Sequence, residues 1–251
     1  MTLERELEWD VNDVAAAVTR NKVTEAKAQV ISGDKAPRIN GIIYDVEIEN
    51  CVPGKSDKKD PRFKYCAGWH DHKGMGLAVI CAYDLWTLQP RVFCKGNFGD
   101  FQALILERQE IIGFNSLLFD DKVVTAHGIK ITSTYDILAE ARMAAREPKV
   151  WERGVSKGGF SLKQLSEDNK LGLLKGDQGH LAPQLWQAGQ IGKVIDYCLN
   201  DILLTYRLFK KRHNLYVASY DKTLDLREVS SLAEFDKKRR ELIKQAARED
   251  W

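Results

Sequence analysis

The order of apolar patterns along the chain restricts the fold more than any other feature of the sequence. Ile39 to Val46 is typical of a buried strand that ends at acidic residues. Leu77 to Tyr83 predicts a second strand and Arg91 to Cys94 a third, with a turn between them near Gln89-Pro90. Two strands joined by a short turn in this way are expected to pair antiparallel.

Strand and helix patterns alternate in the middle of the chain. A helix begins near Phe101, Ile111 to Gly113 is a short strand, and Leu117 to Ala126 has a helical pattern. Thr132 to Tyr135 predicts the final strand, and helical patterns dominate from Asp136 onward. This order predicts an α/β fold, in which a mixed sheet of about five strands, the first three antiparallel, is flanked by α-helices.

The composition narrows the class of protein and its compartment. Of the 251 residues, 44% are hydrophobic and 29% are charged, which is ordinary for a globular protein, and the net charge of +2 gives no general argument for nucleic-acid binding. No apolar run approaches the roughly 20 residues of a membrane span, and Met1 to Glu6 is too charged for a secretory signal. The five cysteines are scattered without a C-x-x-C pair, which argues against a zinc site and favours free thiols in a reducing cytoplasm.

Two terminal segments and one loop differ from the rest of the chain. Residues 1–38 contain two short helical patterns, which could form a helix-turn-helix or pack against the main domain. Residues 50–64 are rich in charges and predict an exposed loop. Ser231 and Glu234 have capping-box spacing for a charged helix that runs to Trp251 and is a candidate contact for a protein partner. We therefore divide the chain into an N-terminal helical extension (1–38), a central domain (39–213) and a C-terminal helical extension (214–251).

Asp45 and Glu47 form the first candidate site. Residues two apart in a strand point to the same face, so both carboxylates are expected to project together from the sheet. Paired carboxylates repel each other unless a cation or a proton lies between them, which favours a metal site. The alternative is a strand that runs out into solvent, since Glu49 continues the alternation.

Asp120 follows a turn at Gly113-Phe114-Asn115 and is the second candidate. Glycine and asparagine allow the chain to bend closely past a ligand at this turn. The Asn115 side chain could bind a nucleotide or cap the following helix. Asp121 is adjacent, so composition does not decide which of the two aspartates is the ligand.

Tyr197 and Asp201 lie four residues apart and therefore on one face of a predicted helix. They lie at the edge of the apolar stripe of that helix, which is formed by Ile191, Val194, Ile195, Cys198, Leu199, Ile202, Tyr206 and Phe209. A tyrosine beside a carboxylate at such an edge is compatible with catalysis and equally with a structural hydrogen bond.

In combination, the three motifs resemble those of the DEDD (DnaQ-like) superfamily of 3′–5′ exonucleases, which have a ribonuclease-H-like fold. The motifs are Tyr44-Asp45-Val46-Glu47, Gly113-Phe114-Asn115 with Phe119-Asp120, and Tyr197-x-x-x-Asp201. The tyrosine is similar to that of the DEDDy subgroup, which includes the proofreading domains of family-B DNA polymerases and stand-alone bacterial and phage proteins. The resemblance covers about residues 39–213. It also implies that the protein is located in the cytoplasm of a bacterial or phage-infected cell.

The resemblance implies a nuclease that releases nucleoside monophosphates from the 3′ end of a nucleic acid, with single-stranded DNA favoured. Two Mg²⁺ or Mn²⁺ ions would be held by Asp45, Glu47, Asp120 and Asp201. Tyr197 would orient the attacking water, since its ordinary pKa of about 10 makes it a poor base at neutral pH. The substrate would be positioned by Asn115, Phe119 and the backbone of Ile48.

Three points stay open. Proteins of this family usually have Thr or Ser at the position of Ile48, so the expected contact with the terminal nucleotide is in doubt. The same fold serves nucleases that act on RNA, and it could also serve a nucleic-acid-binding or scaffold protein without turnover. His70-x-His72, in the long loop of residues 50–76, could indicate a second metal site, although a solvated turn is the simpler interpretation.

Overall fold

The computed structural model describes residues 39–54, 59–172, 179–234, 237, 238 and 241, and a five-stranded sheet lies at its centre. The helix pair predicted for residues 1–38 lies outside the described residues, as does most of the helix predicted to run to Trp251.

The sheet is mixed and has the strand order β3-β2-β1-β4-β5. Strand β1 (Gly41–Glu47) pairs antiparallel with β2 (Val79–Asp84), which pairs antiparallel with β3 (Gln89–Phe93). On its other side, β1 pairs parallel with β4 (Glu110–Gly113), and β4 pairs parallel with the two-residue β5 (Tyr135–Asp136). These pairings confirm the predicted α/β fold class, with five strands of which the first three are antiparallel, and they are consistent with a ribonuclease-H-like fold.

The turn between β2 and β3 lies earlier than predicted. Gln89 and Pro90 belong to β3, where they pair with Asp84 and Tyr83, and the turn is formed by residues 85–88. The Asp84 carboxylate accepts hydrogen bonds from the Trp86 amide (3.0 Å) and the Thr87 hydroxyl (2.8 Å), and this side-chain bonding turns the chain. A proline is tolerated in β3 because β3 is an edge strand.

Helices cover both faces of the sheet. One face packs against the long helix α6, and the other packs against α1 and α2. The α-helices are α1 (Phe98–Leu106), α2 (Asp120–Ala126), α3 (Ile137–Ala144), α4 (Leu162–Asp168), α5 (Ala182–Gln187) and α6 (Ile191–Lys210). The predicted stripe of α6 is buried, whereas the helix expected from Leu117 begins only at Asp120.

The segment between β1 and β2 is more ordered than the exposed loop predicted for residues 50–64. Cys51, Cys66 and Met75 are buried within it. The Cys51 amide donates to the Lys64 carbonyl, and the Cys66 amide donates to the Cys51 carbonyl, both at 3.0 Å. The described part of this segment is therefore anchored to the core and can hold side chains in fixed positions.

The helical prediction for residues 214–251 is wrong for residues 215–217 and 222–224, which are strands joined by a short 3-10 turn at residues 218–220. These form a hairpin of β6 (Leu215–Val217) and β7 (Lys222–Leu224), which Asn169 at the end of α4 holds by bonds to both backbone groups of Tyr216 (2.8 and 3.0 Å). The hairpin contributes to the same core as α6, through Leu215, Val217 and Leu224. Helical structure follows at residues 230–234.

None of the helices in the described ranges combines the length and the apolar character that a membrane crossing requires. All five cysteines are free.

Candidate metal and nucleic-acid site

Strand β1 presents Asp45 and Glu47 on the face covered by α6. Alternate residues of the strand, Tyr44 and Val46, pack into the opposite core with α1 and α2, so the two acids necessarily share the other face. Oxygen atoms of Asp45 and Glu47 lie within 4.8 Å of each other and of the Cys198 sulfur. The prediction that the two carboxylates project together is confirmed by this placement.

Helix α6 brings Tyr197, Cys198 and Asp201 to the same place. The Cys198 thiol donates to a carboxylate oxygen of Asp45 and to its backbone carbonyl, both at 3.5 Å. The Tyr197 hydroxyl is hydrogen-bonded to Asp201, and it also feels the charges of Glu47 and Asp45. Residues from the middle of α6 therefore face the end of β1, although about 150 residues separate them in sequence.

Asp120 and Asp121 are neighbours with different surroundings. Asp120 is the first residue of α2, lines the cleft described below, and accepts a hydrogen bond from the Val46 amide of β1 (3.2 Å). Asp121 points into the core, where it accepts bonds from the Tyr44 hydroxyl, the Ser133 amide (2.8 Å) and the Ser133 hydroxyl (2.9 Å). Geometry thus places Asp120, and not Asp121, beside the acids of β1.

Asn115 lies in a turn that Asp136 holds. The Asp136 carboxylate accepts bonds from the amides of Asn115 (2.9 Å) and Leu117 (3.1 Å), and it also caps α3. Asn115 has a φ of 64°, in the left-handed region that asparagine tolerates better than most residues. Since α2 begins after Phe119, and its N-cap makes no side-chain bond, Asn115 does not cap that helix and lines the cleft instead.

A cleft of about 820 Å³ joins these elements. All eight residues predicted from the sequence line it: Asp45, Glu47, Ile48, Asn115, Phe119, Asp120, Tyr197 and Asp201. Glu47, Asp120 and Asp201 are at most 8% exposed, and Ile48 is buried against the core on the other face of β1. The structure therefore brings the predicted set together, while the role of each residue stays a prediction.

The electrostatics of the cleft are those of crowded acids. Burial, together with the negative charge of Asp45, raises the pKa of Asp120 well above its ordinary value. Burial and the charges of Asp201, Glu47 and Asp45 raise the pKa of Tyr197, so its hydroxyl stays protonated as a donor. Burial, a hydrogen bond to Cys81 and the nearby acids raise the pKa of Cys198, which keeps the thiol neutral.

Several residues in or directly beneath the cleft could not be identified from the sequence. Cys198 was predicted only as part of an apolar stripe, and its contact with Asp45 depends on how α6 crosses β1. Lys59, Tyr65 and Trp69 line the cleft from the segment between β1 and β2, which the sequence indicated to be a solvated loop. The only signal for them is aromatic and basic residues close together in an otherwise polar stretch.

The donor set fits a divalent cation. Hard cations such as Mg²⁺ and Mn²⁺ prefer carboxylate oxygens, and the cleft supplies them from β1, α2 and α6. Within the described residues, Asp45, Glu47 and Cys198 are the only group of three ligand-bearing side chains whose donor atoms are this close. The Cys198 thiol donates to a carboxylate oxygen of Asp45, so it orients one of these candidate ligands.

The second metal site suggested by His70-x-His72 gains no support. Asp71 between the two histidines accepts bonds from the amides of Ala67 (2.8 Å) and Gly74 (2.9 Å), which makes this segment a turn. No metal-binding group among the described residues includes either histidine.

No known family model matches the sequence, and a search of the curated proteins finds no match. Among solved structures, the chain is similar to the family B DNA polymerase from the hyperthermophilic archaeon Pyrobaculum calidifontis, with a TM-score of 0.43 and 16% sequence identity. That match covers 70% of this chain and 24% of the polymerase, so this chain corresponds to about a quarter of the polymerase's length. At this level of similarity, function has to be inferred from the residues of the cleft.

Proposed function

We propose that this chain is a metal-dependent 3′–5′ exonuclease that acts on single-stranded DNA. The observation that carries the proposal is the convergence of Asp45, Glu47, Asp120, Asp201 and Tyr197 at one cleft, from three separate elements. These are the residues that the three DEDDy-like motifs supply. A structural hydrogen bond would explain Tyr197 and Asp201 alone, but it gives no reason for three further acids, Asp45, Glu47 and Asp120, to line the same cleft.

The four carboxylates would hold two Mg²⁺ or Mn²⁺ ions, which would lower the pKa of an attacking water and neutralise charge at the leaving 3′ oxygen. Tyr197 keeps its proton because its pKa is raised, and it donates that proton to Asp201, so its oxygen would orient a water by accepting a hydrogen bond from it. Its bond to Asp201 fixes the direction of the hydroxyl. The neutral Cys198 thiol holds Asp45 in one orientation by donating to it.

The remaining cleft residues are suited to hold a nucleic-acid 3′ end. Asp136 fixes the turn that carries Asn115 by accepting from its backbone amide, and Asn115 and Phe119 both line the cleft. At the position where relatives carry Thr or Ser, Ile48 can contact a nucleotide only through its backbone or by apolar packing. Hydrolysis of the last phosphodiester would release a nucleoside monophosphate and leave a shortened strand.

A labelled oligonucleotide tests the proposal. With Mn²⁺, the 5′-labelled strand is expected to shorten into a ladder, while Asp45→Ala gives no ladder and Glu167→Ala, which removes an exposed carboxylate on α4, behaves as wild type. A strand that stays full length with wild-type protein, as with Asp45→Ala, would show that the chain is not a nuclease. If the protein binds the strand without cleaving it, a scaffold role is supported. Incubation with an RNA strand of the same sequence tests the exoribonuclease alternative.

A further inference from the structure

Trp69 is an exposed aromatic side chain that lines the cleft. It lies in the segment between β1 and β2, which forms one wall of the cleft and is itself held in place. It is 68% exposed, yet it lines the cleft together with the candidate metal ligands. Its ring lies edge-on to that of Phe119, with 6.1 Å between ring centroids and an angle of 61°. The two rings are therefore in contact but inclined to each other, and they come from residues 59–76 and from the end of the 113–119 turn.

The wall that carries Trp69 is fixed by its neighbours. The Gln187 side chain, at the end of α5, donates to the carbonyls of Glu49 (2.8 Å) and Lys64 (3.2 Å) and accepts from the Lys64 amide (2.7 Å). Buried Cys66 lies three residues before Trp69, and the Asp71 turn follows it. Trp69 is therefore exposed even though its segment is anchored, and the apolar surface of its ring is accessible in the cleft.

A basic group accompanies this surface. The Lys59 ammonium lies 5.6 Å from the centre of the Tyr65 ring, and both residues line the same cleft. Asp60, which also lines the cleft, is engaged by Arg62 through a bond of 2.7 Å and does not neutralise Lys59 directly. Aromatic faces next to a cation are the combination by which proteins hold single strands, since bases stack on the rings and cations contact the phosphates.

We propose that Trp69, together with Phe119, is a stacking platform for unpaired bases, and that it gives the site its preference for single strands. The inference rests on the proposed nuclease function and assigns to the wall a role in substrate selection. Bases in a duplex have both faces covered by their neighbours, so they cannot stack on Trp69 without being unstacked first. Lys59 would contact the backbone of the same strand.

Binding without turnover tests the platform separately from the nuclease activity. Equilibrium binding of a fluorescein-labelled oligothymidylate is measured by anisotropy in EDTA. Trp69→Ala is expected to raise Kd about 5- to 150-fold, the range that loss of one stacked base gives, whereas Trp69→Phe stays within about threefold of wild type. The matched control is Trp86→Ala, which removes a 47% exposed tryptophan outside the cleft and is expected to leave Kd unchanged. Circular dichroism melting confirms that each variant is folded.

Abasic substitutions locate the stacked base. One abasic site near the 3′ end is expected to weaken binding to wild type but not to Trp69→Ala. The affinity lost with the base and the affinity lost with Trp69 therefore should not add. A Trp69→Ala protein that binds like wild type, or losses that add at every position, would overturn the platform. A matched oligouridylate shows whether the platform distinguishes DNA from RNA. If Trp69→Ala raises Kd equally for both oligonucleotides, the platform is shared by DNA and RNA. If Trp69→Ala weakens binding but no strand is cleaved, the nuclease proposal fails while the platform stands.

Discussion

Asp120 and Asp121 offer the sharpest test of the site, because the structure predicts opposite effects for the same substitution at adjacent positions. Both side chains are buried, at 4% and 7% exposure. Asp121 accepts three hydrogen bonds from two residues, while Asp120 accepts one from Val46 and lies close enough to Asp45 to feel its charge. Replacing each by Asn keeps the shape and removes the charge.

Asp121→Asn is expected to destabilise the protein. One Asp121 oxygen accepts from the Tyr44 hydroxyl and the Ser133 hydroxyl, and the other accepts from the Ser133 amide. An amide side chain has one acceptor oxygen, so at least one buried donor loses its partner in either orientation. A buried unsatisfied group costs about 1–3 kcal/mol. At about 2–4 °C per kcal/mol for a chain of this size, the melting temperature should fall by about 2–12 °C.

Asp120→Asn is expected to stabilise the metal-free protein. The amide oxygen can still accept from the Val46 amide, and the charge that burial and Asp45 disfavour is gone. Because the pKa of Asp120 is raised in the folded state, the folded protein loses stability as pH rises from the ordinary carboxyl pKa toward the raised one, and Asp120→Asn should not show that loss. We therefore expect Asp120→Asn to melt above wild type in EDTA, by a margin that grows as pH rises through this range.

Thermal melts of wild type and both variants, in EDTA and in excess Mn²⁺, check this reasoning. Mn²⁺ should raise the melting temperature of wild type and Asp121→Asn, and it should raise that of Asp120→Asn much less. If Asp120→Asn melts as far below wild type in EDTA as Asp121→Asn does, charge crowding at Asp120 is the wrong explanation. If Mn²⁺ stabilises Asp120→Asn as much as wild type, Asp120 is not a ligand.

Three further predictions concern the stability of the fold around the cleft and the activity of the cleft itself. Asp84→Asn should cost about 1.5–3 kcal/mol in urea unfolding at pH 7, since Arg108 loses charge-assisted bonds to the buried Asp84 and keeps its ion pair with the exposed Glu107. Burial raises the pKa of Asp84, but the bonds from Arg108 outweigh it and lower that pKa, so the difference in stability from wild type should shrink only below about pH 4. Gln187→Ala should cost about 1 kcal/mol and speed hydrogen exchange at the Lys64 amide. Tyr197→Phe should lower kcat, and the wild-type pH–rate profile should show no Tyr197 ionisation up to about pH 10, because burial and the adjacent acids raise its pKa.

The sequence predicted the elements that carry long apolar patterns. The face shared by Asp45 and Glu47 follows from the alternation of β1, and the buried stripe of α6 follows from its helical period. These two elements supply most of the candidate ligands, so the core of the site could be predicted before the structure. The contact between these two elements, seen in the bond from Cys198 to Asp45, could not be predicted, because it depends on the angle and register at which α6 packs on the sheet.

Other features carry too little local signal to be predicted. Composition does not choose between Asp120 and Asp121. The resemblance implies Asp120, and the structure separates the two because Asp121 points into the core toward Tyr44 and Ser133. The β6–β7 hairpin has strands of three residues each, which is too short to show an alternation. Trp69 lies in a segment whose charges predict solvent, and only its tertiary bonds, such as those from Gln187, place it at the cleft.

The buried acids of this protein divide according to what surrounds them. Asp84 is fully buried, yet its pKa is lowered, because Arg108 offers two bonds of 3.1 and 2.9 Å. Asp120 is nearly as buried, but a second acid lies nearby and its pKa is raised. A structure built for stability alone gains nothing from such an arrangement, since an amide would fit the same space at lower cost. A divalent cation reverses the sign of that cost, because charges that repel one another become its ligands. The same crowding that weakens the metal-free fold should therefore set how strongly Mn²⁺ stabilises it.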